Sequence, residues 1–224
     1  SRQTYCGGRA VQKAAVEAKK TLLRFASQHL NVEEGRLKIR DGVIYDVKNP
    51  ANNIHVSDLL RKLGIEDLSI GKQIIGSVTG VAPTVPPIFG ANFAEVEVDT
   101  ETGEVRVVKL VGGFDVGKAI NPAYVEGQIT GGELMGIGYA LTEGLVTKDG
   151  KILNDNFTDY RILRACDAPE IEAIIVESNE PTGAFGAKGV GEATMVGTAS
   201  AIANAIYDAV GVRMKELPIT QEKI

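Results

Sequence analysis

Cysteine is nearly absent from this 224-residue chain, which has only Cys6 and Cys166. They lie far apart, so no zinc-ligand spacing can be written from them, and an iron–sulfur cluster held by four thiolates cannot be built from this chain alone. Imidazole is as scarce: His29 and His55 fall on different predicted elements, where surface or helix-end roles are expected rather than metal ligation. Positive charge is not in excess either. The 24 Lys and Arg against 29 Asp and Glu give a net charge of −5, without the basic footprint of a nucleic-acid binder. Long apolar runs are also missing, and none approaches the roughly 20 residues of a membrane-spanning helix. No leader is legible at Ser1, so the chain is expected in the cytoplasm, and a start without Met fits a fragment or a processed chain. The 44% hydrophobic content is enough for a sizeable core in one large domain or two closely joined halves.

Glycine, by contrast, is plentiful, and it concentrates in Gly183-Ala184-Phe185-Gly186-Ala187-Lys188-Gly189-Val190-Gly191-Glu192. Backbone without side-chain bulk lets a bound group approach closely. A single carboxylate, Glu192, closes the loop and opens an apolar, small-residue helix expected to run to about Ala209 and to aim its first N–H groups at an anionic occupant. Glu192 is therefore the catalytic candidate. The helix N-terminus favours its ionised form while burial opposes it, the compromise a base near neutral pH needs. The spacing does not fit the dinucleotide fingerprint, because Glu192-Ala193-Thr194 follows Gly189-Val190-Gly191. Neither Gly71-Lys72 nor Gly117-Lys118 is followed by the Ser or Thr of a P-loop. An ordinary turn before a helix, or a phosphate cradle for a nucleotide, remain alternatives at this level.

Elsewhere the patterning predicts two α+β halves. Val11, Ala15, Ala18, Leu22 and Phe25 recur at helical spacing from about Gly8 to His29. Asp41-Gly42 joins two short strands, a strong hairpin signal. Ser57 is read as the cap of a short helix that Gly64 ends, followed by a strand from Ile74 to Thr79. Residues 1–80 thus form a first half, and the Pro- and Gly-rich 81–91 stretch reads as a connector or partner-contacting loop. Residues 92–224 form the second half: a hairpin around Asp99-Thr100-Glu101-Thr102-Gly103, a helix from Pro122 to Leu141, a strand from Ile171 to Glu177 and the Glu192 helix with Gly211 as its stop. The middle helix carries Gly127, Gly131, Gly132, Gly136 and Gly138. Close approach of a ligand or a backbone, or tight packing on a sheet, accounts for that load.

Ala187-Lys188-Gly189-Val190-Gly191-Glu192, together with Asn121-Pro122-Ala123, Glu126-Gly127-Gln128 and the closing Glu216-Leu217-Pro218-Ile219-Thr220-Gln221-Glu222-Lys223-Ile224, resembles the C-terminal part of the molybdenum-binding subunit of the xanthine dehydrogenase and aldehyde oxidase family. Ser1-Arg2-Gln3-Thr4-Tyr5 before the Gly8-Arg9-Ala10-Val11 helix is similar to that family's cofactor-contacting segment, so the resemblance spans the whole chain. It implies a two-layer α/β molybdenum-cofactor-binding domain and a hydroxylase that places a water-derived oxygen on a purine, nicotinate-like or aldehyde carbon. A molybdopterin, in mononucleotide or dinucleotide form, would hold the metal with no protein side chain as ligand. Glu192 matches the base. Gln128 matches a glutamine bonded to the pterin. Ser1, Arg2 and Gln3 match the segment at the dithiolene and phosphate end, with Arg2 suited to a phosphate. Lys188 and Gly189, with Val190 and Gly191 beside them, would turn backbone N–H groups toward the metal's ligands.

The residues that sandwich and orient substrate in that family lie upstream of the region covered here. The resemblance therefore implies a larger molybdopterin-binding partner chain, with 2Fe-2S and FAD on iron–sulfur and flavin subunits, and a small-molecule substrate. A non-catalytic scaffold of the same fold is the competing reading.

Overall fold

The computed structural model describes residues 2–66, 74–79 and 85–224. It divides into two compact units, Cys6–Ala82 and Ser1–Tyr5 with Pro83–Ile224. Of the expected connector, residues 81–84 lie outside the described residues, and residues 85–89 are irregular.

In the Cys6–Ala82 unit, α1 (Gly8–Leu30) has the expected amphipathic span. Its C-terminal half carries the packing: Ala26 is fully buried with Leu22 and Phe25 against it, while Val11 stays 70% exposed. Asn31 ends the helix in the left-handed region, where a short polar side chain is tolerated. Strands β1 (Leu37–Arg40), β2 (Val43–Asp46) and β3 (Asn49–His55) pair antiparallel in that order. Asp41 and Gly42, with φ of 48° and 77°, form the primed turn that matches strand twist. Ile44, Ile54 and Leu59 complete this core.

Two expectations fail in this unit. Helix α2 (Val56–Glu66) begins one residue before Ser57, whose amide donates to His55 Nδ1 at 3.3 Å, and it runs through Gly64 instead of stopping there. Glycine inside an exposed helix costs only about 1 kcal/mol, too little to end it. Residues 74–79 are not a strand. A Cβ at Gly76 would lie 1.8 Å from the Ala14 carbonyl, so this backbone is pressed against α1 rather than laddered to a neighbour.

In the second unit, β4 (Gly90–Val98) pairs antiparallel with β5 (Val105–Asp115). Then α3 (Pro122–Leu141) starts as expected: Asn121 Oδ1 accepts from the Tyr124 amide at 3.3 Å, and Pro122 occupies the first turn. A small hairpin of β6 (Thr147–Lys148) and β7 (Lys151–Ile152) precedes β8 (Glu170–Val176), which joins β5 in parallel. Helices α4 (Ala193–Val196) and α5 (Thr198–Val210) follow. The fold is α+β, with α3 and α5 packed on one face of the sheet around Leu110, Ile137, Ala140, Ile202 and Ile206. Ile219 of the C-terminal segment joins that core, its amide donating to the Ala140 carbonyl at 2.7 Å.

The single helix expected from Glu192 to Ala209 is broken at Gly197. Gly197 keeps right-handed φ/ψ of −87° and −18°, and a Cβ there would meet Asn92 Oδ1 at 2.1 Å, so β4 leaves room only for glycine at the junction. The glycines of α3 divide in the same way. Gly132 and Gly136 face Thr194 Oγ1 and Thr198 Cβ at 1.9 and 2.4 Å from their would-be Cβ atoms, whereas Gly127 and Gly131 have nothing within 4 Å. Close approach of the next helices accounts for the first pair.

Candidate cofactor cleft

The loop from Gly183 to Glu192 is laced to the end of β5. Lys188 N–H donates to the Val116 carbonyl at 2.8 Å, and Gly117, at φ 71°, lies so close that a Cβ would meet the Gly186 carbonyl oxygen at 2.3 Å. Only glycine serves there. The Lys188 side chain turns inward, 6% exposed, and its ammonium donates to Asp115 Oδ2 at 2.7 Å and to the Pro87 carbonyl at 2.8 Å. Asp115 Oδ1 accepts from the Gly117 amide at 2.9 Å and the Ser178 hydroxyl at 2.8 Å. Burial pushes the Asp115 carboxyl up, but the Lys188 ammonium and these two donors outweigh it and bring the pKa down to about 2. The Asp115 carboxylate thus has the close, hydrogen-bonded partner that a buried charge requires.

Two further threads tie the loop down. Thr194, 1% exposed, shares its hydroxyl between the Gly191 carbonyl at 2.7 Å and the Gln128 carbonyl at 3.2 Å, joining the loop to the turn of α3 that bears Gln128. On the other side, the Thr182 hydroxyl donates to Glu180 Oε1 at 2.5 Å, which leaves the Tyr5 hydroxyl to donate to Thr182 Oγ1 at 2.6 Å. The N-terminal segment is thus docked next to the start of the loop.

Between these elements lies a cleft of about 520 Å³ lined by Thr4, Val116, Lys118, Asn121, Gln128, Lys188 and Val190 among others. Of the residues the sequence singled out, Gln128, Lys188 and Val190 line it together. Gly189 and Gly191 flank Val190 in the chain, one buried and one half-buried. Arg2 and Gln3 are exposed beside Thr4, and Ser1 lies outside the described residues. Glu192 is exposed at the start of α4.

The expected role of the Lys188 amide is corrected, since Val116 takes it. The amides of Gly189, Val190 and Gly191 find no backbone acceptor among the described residues. The expected field of a long helix behind Glu192 is also corrected: α4 is one turn, and its Thr194 and Met195 amides fold back onto the Gly191 and Glu192 carbonyls at 3.0 and 3.1 Å. Asp115, Thr194 and Thr182 were not foreseen. The legible signal for Asp115 was an acid ending the buried apolar run Leu110-Val111-Gly112-Gly113-Phe114, a position an acid occupies only with a partner.

A second buried acid sits in the core of this unit. Glu133 is fully buried, accepting from Asn92 Nδ2 at 2.5 Å through Oε1 and from the Thr198 hydroxyl at 2.7 Å through Oε2. Burial raises its pKa, with the Thr198 and Asn92 bonds only partly opposing. Among the described residues no group of three His, Cys, Asp or Glu side chains is placed to hold a metal, and no helix is long and apolar enough to cross a membrane.

A small-residue loop, a glutamine and the N-terminal segment surround one cleft, an arrangement suited to a cofactor-binding domain. The chain belongs to the molybdopterin cofactor-binding domain family, which it matches over residues 1–169. It is 32% identical over 234 residues to a putative xanthine dehydrogenase molybdenum-binding subunit of Escherichia coli K12, a match covering 100% of this chain and 30% of that protein. It is 30% identical over 233 residues to the gamma subunit of the 6-hydroxypseudooxynicotine dehydrogenase complex of Paenarthrobacter nicotinovorans, covering 100% of this chain and 29% of that one. Among solved structures, quinoline 2-oxidoreductase of Pseudomonas putida 86 superposes with a TM-score of 0.87 at 26% identity, over 99% of this chain and 29% of that chain. The chain therefore spans about 30% of the length of the relatives it matches.

Proposed function

We propose that this chain holds part of the pterin cofactor of a molybdenum hydroxylase and supplies the general base of its reaction. The reaction is hydroxylation of an electron-poor carbon, in a purine, a nicotinate-like heteroaromatic or an aldehyde, with oxygen derived from water. The observation that carries this reading is the single cleft shared by Gln128, Lys188, Val190 and the N-terminal segment, with Glu192 at the end of the loop that lines it.

The donor set fits such a cofactor. Gln128 is exposed and offers a donor and an acceptor on one planar group, suited to the edge of a pterin. The amides of Gly189, Val190 and Gly191 are left for a ligand, and the exposed guanidinium of Arg2 suits a phosphate, with Gln3 beside it. When bound, the group supplies the two-electron redox chemistry. This chain's residues hold and orient it, and a carboxylate oxygen of Glu192 accepts the proton released as the new carbon–oxygen bond forms. Substrate selection falls to a larger molybdopterin-binding partner, and electrons leave through iron–sulfur and flavin subunits.

The test is Glu192→Gln in the assembled enzyme. Molybdenum and pterin content should be unchanged while turnover falls roughly 100- to 10,000-fold, the range for losing a general base. Turnover near wild type would remove Glu192 from the reaction.

A further inference from the structure

We infer that the buried Asp115–Lys188 pair is a positioning device, a clamp that sets where the Gly189–Glu192 stretch stands relative to the cleft; this inference rests on the function proposed for Glu192. Lys188 is three residues along the chain from Gly191, in a loop otherwise rich in glycine and therefore costly to hold in one conformation. Its ammonium adds a side-chain bridge from the loop to two segments that are already paired, Asp115 at the end of β5 and the Pro87 carbonyl ahead of β4, where the Asp115 amide donates to the Phe89 carbonyl at 2.9 Å. Its backbone is fixed to Val116 by the 2.8 Å bond, so side chain and main chain are held at once.

Asp115 is fixed in turn by Gly117 and Ser178, which leaves the carboxylate little freedom to follow a moving loop. Two of the three Lys188 ammonium protons are taken by the Asp115 and Pro87 oxygens. A pair wanted only for stability is easily replaced, because well-packed uncharged side chains of similar volume often serve as well or better. Its place next to the glycine loop is what a positional role explains.

The experiment separates position from stability by comparing Lys188→Met, Asp115→Asn and the double variant in the assembled enzyme. Lys188→Met leaves an unpaired carboxylate and lowers the melting temperature. The double variant removes both charges, keeps an acceptor for Gly117 and Ser178, and should recover the melting temperature. The clamp predicts that the double variant nonetheless loses hydrogen-exchange protection at the Ala187 and Lys188 amides, which donate to Ala184 and Val116, and loses kcat on the order of 100-fold with KM little changed, the penalty for a reacting group displaced by an ångström. Wild-type exchange and kcat in the double variant would overturn the proposal.

If the double variant fails to fold, Asp115→Asn alone decides. Faster loop exchange with a lower kcat supports the clamp, and wild-type values for both overturn it. Exchange is read on the loop itself. An active Glu192→Gln enzyme would therefore defeat the base assignment without touching the exchange result, and the two failures are distinguishable.

Discussion

Asp115 and Glu133 are both buried acids in one structural unit, 8% and 0% exposed, yet their pKa values move in opposite directions. Asp115 meets a full positive charge 2.7 Å away and stays ionised, with its pKa brought down to about 2. Glu133 meets only the dipoles of Asn92 and Thr198, so desolvation wins and its pKa rises. The partner, more than the depth of burial, decides which way the pKa of a carboxyl moves. The first acid ties a loop beside the cleft to the sheet, while the second joins β4, α3 and α5 in the middle of the core.

Removing one acid while leaving its partner in place exposes the difference most strongly. Asp115→Ala strands the Lys188 ammonium where it is 6% exposed, and leaving one buried charge unpaired destabilises by about 3–5 kcal/mol. Urea unfolding of wild type and variant measures it. A loss under about 1 kcal/mol would place Asp115 with ordinary surface ion pairs and erase the contrast.

An intermediate effect is expected from crowding the second acid. A Cβ at Gly112 would sit 2.1 Å from Glu133 Oε1, closer than any contact allows. Gly112→Ala must push the carboxyl off Asn92 or shift α3, and overpacking of this kind costs about 1–3 kcal/mol. Thermal unfolding should show the loss, and an unchanged melting temperature would mean that Glu133 has room to move.

The same contrast marks what the chain discloses before folding. Elements with local signals stand where they were expected: α3 between its Asn121 cap and Leu141, the Asp41-Gly42 hairpin, and β8 within a residue at each end. Features set by contacts distant in sequence did not announce themselves. The need for glycine at 197 depends on Asn92, and the clamp joins residues 73 positions apart. Lys188 was legible as part of a cofactor loop, but its inward turn depends on Asp115, and no periodicity encodes that. Gln128 and Val190 were found through motif resemblance, and the cleft brings them together. Thr194, which links their two segments, carries no motif of its own and emerges only from its contact with Gly132.

The smallest expected effect is the pH dependence, and its sign differs for the two acids. Asp115 has a folded pKa below its ordinary 3.8, so its contribution is complete above that value and is lost as pH falls toward about 2. Glu133 has a folded pKa above 4.5, so its contribution is complete below 4.5 and is lost as pH rises through the folded value. Glu133→Gln removes only the second limb: its carboxamide oxygen still accepts from Asn92, and the Thr198 hydroxyl, which donates to the carboxylate, turns to accept from the amide. The variant should match wild type near about pH 4 and gain relative stability as pH rises to about 8, since nothing remains to ionise at position 133. Denaturant midpoints at several pH values measure the slope. A constant difference across that range would mean that Glu133 keeps one protonation state throughout, and the two acids would then differ in depth alone.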